Sequence, residues 1–164
     1  MKKVLDPCCG SKMFWFDKHN PIVEYCDIRE IEDEVIYRSA DGKNERHISV
    51  LPDKICDVTN LPYEDNSFYH IVFDPPHLTS IGDNAWMCKK YGKLDKTNWD
   101  KFLHDAFCEC MRVLKPNGTL IFKWNETDIP VSKVLSVIPF KPLYGHQVGK
   151  LNKTHWIAFL KDTD

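Results

Sequence analysis

The stretch of this chain best suited to do chemistry is Asp74-Pro75-Pro76-His77. It follows Tyr69-His70-Ile71-Val72-Phe73, an apolar run of residues that favour a buried strand. Two prolines end the run. Proline gives no N–H to a sheet ladder and fixes its own φ. The strand therefore delivers a carboxylate, then a rigid loop whose carbonyls are not consumed by pairing. In an open α/β sheet, ligands sit at the carboxyl ends of the strands.

Three more acids repeat the pattern. Lys3-Val4-Leu5 runs into Asp6, Ile22-Val23-Glu24-Tyr25-Cys26 into Asp27, and Lys54-Ile55-Cys56 into Asp57 and Val58. Four carboxylates at one rim of a parallel sheet make a polar ligand shelf. After the first strand, Asp6-Pro7-Cys8-Cys9-Gly10-Ser11 is a tight loop of small residues, in which Gly10 lets the backbone turn and a ligand approach. Met13-Phe14-Trp15-Phe16 is expected to begin a short helix. A loop feeding a helix is the cofactor cradle of doubly wound folds, and an acid about 20 residues further on is where they hold ribose hydroxyls. Asp27 stands there. The glycine spacing is not that of a dinucleotide site.

Leu78 to Lys96 shows no clear periodicity and is expected to be a long loop with a job. It carries Trp86, Lys89, Lys90, Tyr91, Lys93 and Lys96. Aromatics interleaved with lysines suit stacking on bases and neutralising phosphates. Metal chemistry finds no support in the spacing. The seven cysteines include no C-x-x-C pair and the seven histidines no H-x-x-x-H pair. An odd number of cysteines fits reduced, mostly buried thiols in a cytosolic protein.

The elements that must position these residues follow from the rest of the chain. Its 164 residues, 43% hydrophobic and 28% charged, fit one globular domain spanning 1–164. Net charge is -2, so any nucleic-acid binding needs a local basic patch. No apolar run approaches a membrane span, and Met1-Lys2-Lys3-Val4 opens no signal peptide, which points to the cytoplasm. Val35–Arg38 and Arg46–Val50 flank Asp41-Gly42-Lys43-Asn44 as a β-hairpin. The charge run from Arg29 to Glu34 reads as a solvated face. From Thr97-Asn98-Trp99-Asp100 a helix starts, with Phe102, Leu103, Ala106, Phe107, Cys110, Met111 and Leu114 on its core face. Lys115-Pro116-Asn117-Gly118 stops it, and Thr119–Trp124 is a strand. A helix follows Pro130. Leu143-Tyr144 and Thr154–Leu160 close the sheet as an antiparallel pair.

Over nearly its whole length the chain resembles the Rossmann-like, class I S-adenosylmethionine-dependent methyltransferases. Four stretches carry the likeness: Asp6–Ser11, Asp27, Asp57-Val58-Thr59-Asn60-Leu61-Pro62 with Asp65–Phe68, and Arg112–Gly118. The resemblance implies an α/β fold with a doubly wound, mostly parallel seven-stranded sheet, an antiparallel last strand, and the hairpin inserted after the second strand. It implies S-adenosylmethionine as cofactor, held by Asp6, Pro7, Cys8, Gly10, Ser11, Asp27, Ile28, Asp57, Val58 and Asp74. Asp74-Pro75-Pro76-His77 is similar to the D/N/S-P-P-aromatic motif of amino-methyltransferases, which methylate exocyclic amines of adenine or cytosine, or a glutamine amide. Those four residues are then the catalytic set. Trp86, Lys89, Lys90, Tyr91, Lys93 and Lys123 would contact the target, expected to be DNA or RNA. His77 departs from the usual aromatic, and the single expected domain leaves target recognition to the Leu78–Lys96 loop. Asp74 with Lys123 also resembles two members of the tetrad of RNA ribose 2′-O-methyltransferases, which leaves that activity as an alternative. A methyltransferase-like subunit that binds nucleic acid without catalysis is another.

Overall fold

The structure, a computed structural model, describes residues 2–149 and 152–162. Met1 at the head of the expected domain, and Thr163 and Asp164 at its end, lie outside the described residues. Seven strands form one sheet: β1 (Val4–Asp6), β2 (Val23–Asp27), β5 (Lys54–Ile55), β6 (Phe68–Phe73), β7 (Leu114–Asn125), β8 (Tyr144–Gln147) and β9 (Thr154–Leu160). Their order is β5-β2-β1-β6-β7-β9-β8. All run parallel except β9, which is antiparallel to both β7 and β8. The strand between Phe68 and Phe73 therefore sits mid-sheet, and its carboxyl end opens at the rim beside those of β1 and β2.

One face of the sheet carries helices α2 (Trp99–Val113) and α3 (Val131–Val137). On α2, Leu103, Ala106, Phe107, Cys110 and Met111 recur at three- and four-residue spacing and are buried, as expected for an amphipathic helix. Phe107 meets Phe73 at 5.4 Å, Phe122 at 5.0 Å and Phe159 at 5.1 Å, each edge-on. Quadrupole geometry favours that arrangement over face-to-face stacking.

Three local expectations give way. Met13–Phe16 forms turns, not a helix, and Lys12 enters the left-handed region at φ 54°. The cause is Trp15, whose Nε1 donates to Asp6 Oδ2 at 2.7 Å and whose ring meets Tyr25 edge-on at 5.3 Å. These anchors lay the 7–22 connection on the sheet face opposite α2, over Val23 and Tyr25. The strand expected over 54–58 stops at Ile55, because Asp57 Oδ1 accepts from both Thr59 N and Thr59 Oγ1 and turns the chain. The loop 78–96 contains a helix, α1 (Trp86–Tyr91), whose six residues are too few to show a period. The hairpin forms as expected but is longer, β3 (Ile31–Arg38) with β4 (Glu45–Val50), and is a separate two-stranded sheet. Its first strand absorbs much of the charge run.

Candidate active site

Phe73 pairs with Phe122 across β6 and β7, so Asp74, the first residue past β6, stands beside Lys123, which is still within β7. Lys123 Nζ donates to Asp74 Oδ2 at 2.5 Å. The same ammonium lies 5.6 Å from the Phe14 ring and 5.8 Å from the Trp156 ring. Trp156 faces Lys123 across β9, and Phe14 meets Trp156 edge-on at 6.0 Å. A cation is thus held between a carboxylate and two aromatic rings. Burial pushes the Asp74 carboxyl above its ordinary value, and the Lys123 ammonium pulls against that shift. His77 stands behind, 6.1 Å from Tyr91 and 6.3 Å from Trp124 by ring centroids. Burial depresses the imidazole, which favours the neutral form. Asp128 fixes the chain beyond it, its Oδ2 accepting from Thr79 N at 2.7 Å and Ser80 N at 2.9 Å.

Two cavities meet at Asp74. The first, of about 270 Å³, is walled by Asp74, Pro75, His77 and Lys123, by Lys90 and Tyr91 of α1, and by the Cys8–Ser11 loop with Phe14. The second, of about 310 Å³, has Pro7, Asp27, Ile28, Asp57, Val58 and Pro76 in its walls, closed by Leu94 and Phe102. Cys8, Arg29, Asp74 and Tyr91 border both. A mainly apolar cavity with acids in its walls, adjoining a slightly smaller one that Lys90, Lys123 and Asp74 border, suits an adenosine with a charged appendage.

Asp27 is more occupied than its position suggests. Oδ1 accepts from Arg29 N and Arg29 Nε, both at 3.0 Å, and Oδ2 from Gly10 N at 2.9 Å and Arg29 Nη2 at 3.3 Å. A carboxylate offers about four lone-pair sites, and here each has a donor. The acid expected to hold ribose hydroxyls is thus engaged by Arg29 and Gly10. Asp57 is less committed, since both Thr59 bonds fall on Oδ1. Asp6 borders neither cavity. It is fully buried beneath the loop, held by Trp15 Nε1 and Cys8 N, and burial pushes its pKa up to about 7. Its role is to prop the loop that borders the cavities.

The expected target-binding set splits. Lys90, Tyr91 and Lys123 line the first cavity, and Lys93 the second. Lys89 is ion-paired to Glu34, Lys93 to Asp83 at 2.9 Å, and Trp86 faces the hairpin instead. Lys96 is exposed. Sequence reasoning missed Arg29 and Phe14. Arg29 lay inside a charge run, and Phe14 inside an expected helix. The only local signal was an arginine two residues after the ribose-position acid.

No protein-family model and no curated protein matches this chain. Solved structures match over nearly its whole length. A methyltransferase from Methanosarcina mazei, described as S-adenosylmethionine-dependent, aligns with TM-score 0.53 and 14% identity over 99% of this chain and 93% of that one. A geranyl diphosphate methyltransferase, solved with its diphosphate and sinefungin, gives 0.52 and 12% over 98% and 72%. The cyclase SpnF gives 0.60 and 14% over 99% and 75%. The fold is that of the class I S-adenosylmethionine-dependent methyltransferases. Since a cyclase shares it, chemistry has to be argued from the site.

Proposed function

We propose that the protein is an S-adenosylmethionine-dependent methyltransferase acting on an exocyclic amine of a nucleic-acid base, adenine N6 or cytosine N4. The observation that carries this reading is Asp74, which stands on the wall shared by a cavity suited to the cofactor and one suited to the target. When bound, the cofactor supplies an electrophilic methyl group. Asp27 and Asp57 would hold its ribose and adenine, between Ile28, Val58, Leu94 and Phe102, with the Cys8–Ser11 loop at its methionine end. An aryl amine is a weak nucleophile because its lone pair is delocalised into the ring. Asp74 Oδ1 and the Pro75 carbonyl would accept its two N–H hydrogens, favouring a pyramidal nitrogen. The prolines hold those acceptors rigid, and Lys123 fixes the carboxylate from its other oxygen. Neutral His77, in the wall of the same cavity, would pack on the target ring and would be the base for the proton that the methylated nitrogen gives up.

The Asp74–Lys123 pair also favours a second reading, ribose 2′-O-methylation. Against it, the first cavity is bordered by no glutamate among the described residues, and Lys123 is committed to Asp74. Labelled methyl transfer to DNA, RNA, protein and small amines, with the product nucleoside identified by mass spectrometry, separates the readings. N6-methyladenine or N4-methylcytosine is expected. A 2′-O-methyl nucleoside or a labelled protein rules the base reading out.

A further inference from the structure

A third cavity, of about 360 Å³, runs from the target chamber along the hairpin. It shares Ser11, Met13 and Lys90 with that chamber and is closed by Arg46, Ile48 and Trp86. Two cations define it. The Arg46 guanidinium lies 5.6 Å from the Tyr37 ring and 5.8 Å from the Trp86 ring. The Lys90 ammonium lies 6.0 Å from the Trp86 ring and 5.0 Å from the Tyr91 ring. Aromatic faces thus hold both charges in place, with Trp86 common to the two.

Their neighbours are neutralised: Lys89 by Glu34, Lys93 by Asp83, and Arg38 by Glu45 at 2.6 Å. His47 also borders the groove, but its nitrogens meet Asp33 at 2.9 Å and Glu45 at 3.3 Å. Arg46 and Lys90 have aromatic partners and no carboxylate within ion-pairing distance among the described residues. In a chain of net charge -2, two positioned and unneutralised cations beside the target chamber are a focused anion track.

We propose that this groove, between the β3–β4 hairpin and α1, seats the single-stranded nucleic-acid backbone flanking the target base, with Arg46 and Lys90 each on a phosphate. The inference rests on the base-methylation reading above. A base reaches a chamber of this size only when it is out of a duplex, and single strands impose the least unstacking cost. The hairpin then supplies one wall of the strand's seat.

The test is fluorescence anisotropy of a short single-stranded oligodeoxynucleotide, and of its RNA counterpart, over a range of salt concentrations. Wild type is compared with Arg46→Gln, Arg46→Lys and Trp86→Ala. Cofactor affinity by calorimetry serves as the folding control. Arg46→Gln is expected to weaken oligonucleotide binding several-fold and to lower the log–log salt slope by about 0.7. Arg46→Lys keeps the slope, and Trp86→Ala weakens binding while the cofactor still binds. If wild type methylates and binds the oligonucleotide but Arg46→Gln and Trp86→Ala match it at every salt concentration, the groove is not the seat and base methylation stands. If wild type binds neither strand and labels a protein or a small amine, the groove and the base reading fall together.

Discussion

Asp74 answers to two opposed influences. Burial raises its pKa, and the Lys123 ammonium, 2.5 Å away, lowers it. The proposed chemistry needs the carboxylate, so the acidic limb of the kcat profile should lie above the range of an exposed aspartate. Lys123→Met removes the opposing charge and leaves burial, moving that limb to higher pH; a limb that moves down would detach Lys123 from Asp74. Asp74→Ala, which removes the acceptor altogether, should lower kcat by about 10²–10³ while cofactor affinity holds. Single-turnover methylation beside calorimetry reads both. Asp6 makes a different prediction. Its folded pKa of about 7 exceeds the ordinary 3.8, so the folded chain keeps a proton that the unfolded chain has released. That contribution is fully present below the unfolded pKa and is lost as pH rises through the folded one. Asp6→Asn should therefore flatten the fall in thermal midpoint across that window. An unchanged slope would mean that Asp6 is ionised in the folded protein throughout.

At the scale of elements, Arg29 ties the end of β2 to α1. Its Nη1 donates to the Lys89 carbonyl at 3.0 Å while its other donors engage Asp27. On the proposed cofactor placement, filling the ribose position would loosen this tie to α1. Arg29→Ala leaves Asp27 with free acceptor sites, and cofactor affinity should rise by about tenfold, the order of one charge-assisted hydrogen bond. Calorimetry decides: weaker binding in the variant would make Arg29 a cofactor contact instead. None of this was visible in the chain itself, because Arg29 and Lys89 are 60 residues apart and a run of mostly acidic charge looks solvated. What was visible had local causes. A strand stopped by Pro75 and Pro76 must present Asp74, and the apolar stripe of α2 needs only its own spacing to be read. Met13–Phe16 failed as a helix because a buried acid outside the segment, Asp6, captures Trp15. Phe14 was missed with it, since its partners Lys123 and Trp156 lie on distant strands.

Across the whole molecule, stability and site rest on different packing. Buried residues on the α2 face form one large cluster, from Leu5 and Phe73 to Phe107, Phe122 and Phe159. The opposite face has Cys9, Val23 and Tyr25 with Trp15 and Val4 against them, and from this smaller cluster the Cys8–Ser11 loop is hung. Phe107 is fully buried amid three aromatic rings, so Phe107→Ala opens a cavity and should cost about 3–5 kcal/mol. That is a large part of the 5–15 kcal/mol, roughly, on which a domain subsists. None of the atoms it removes borders the cofactor cavity, so below the lowered thermal midpoint cofactor affinity should match wild type. Trp15→Phe should behave in the reverse sense. It keeps most of the ring contact with Tyr25 but removes the Nε1 donor to Asp6, freeing the loop that carries Cys8, Gly10 and Ser11. Its thermal midpoint should fall little and its cofactor affinity several-fold. Denaturation scans paired with calorimetry on the two variants read both axes. If Phe107→Ala weakened the cofactor as much as it weakened the fold, the two faces of the sheet would be one cooperative unit, and the loop could not move independently of the core beneath it.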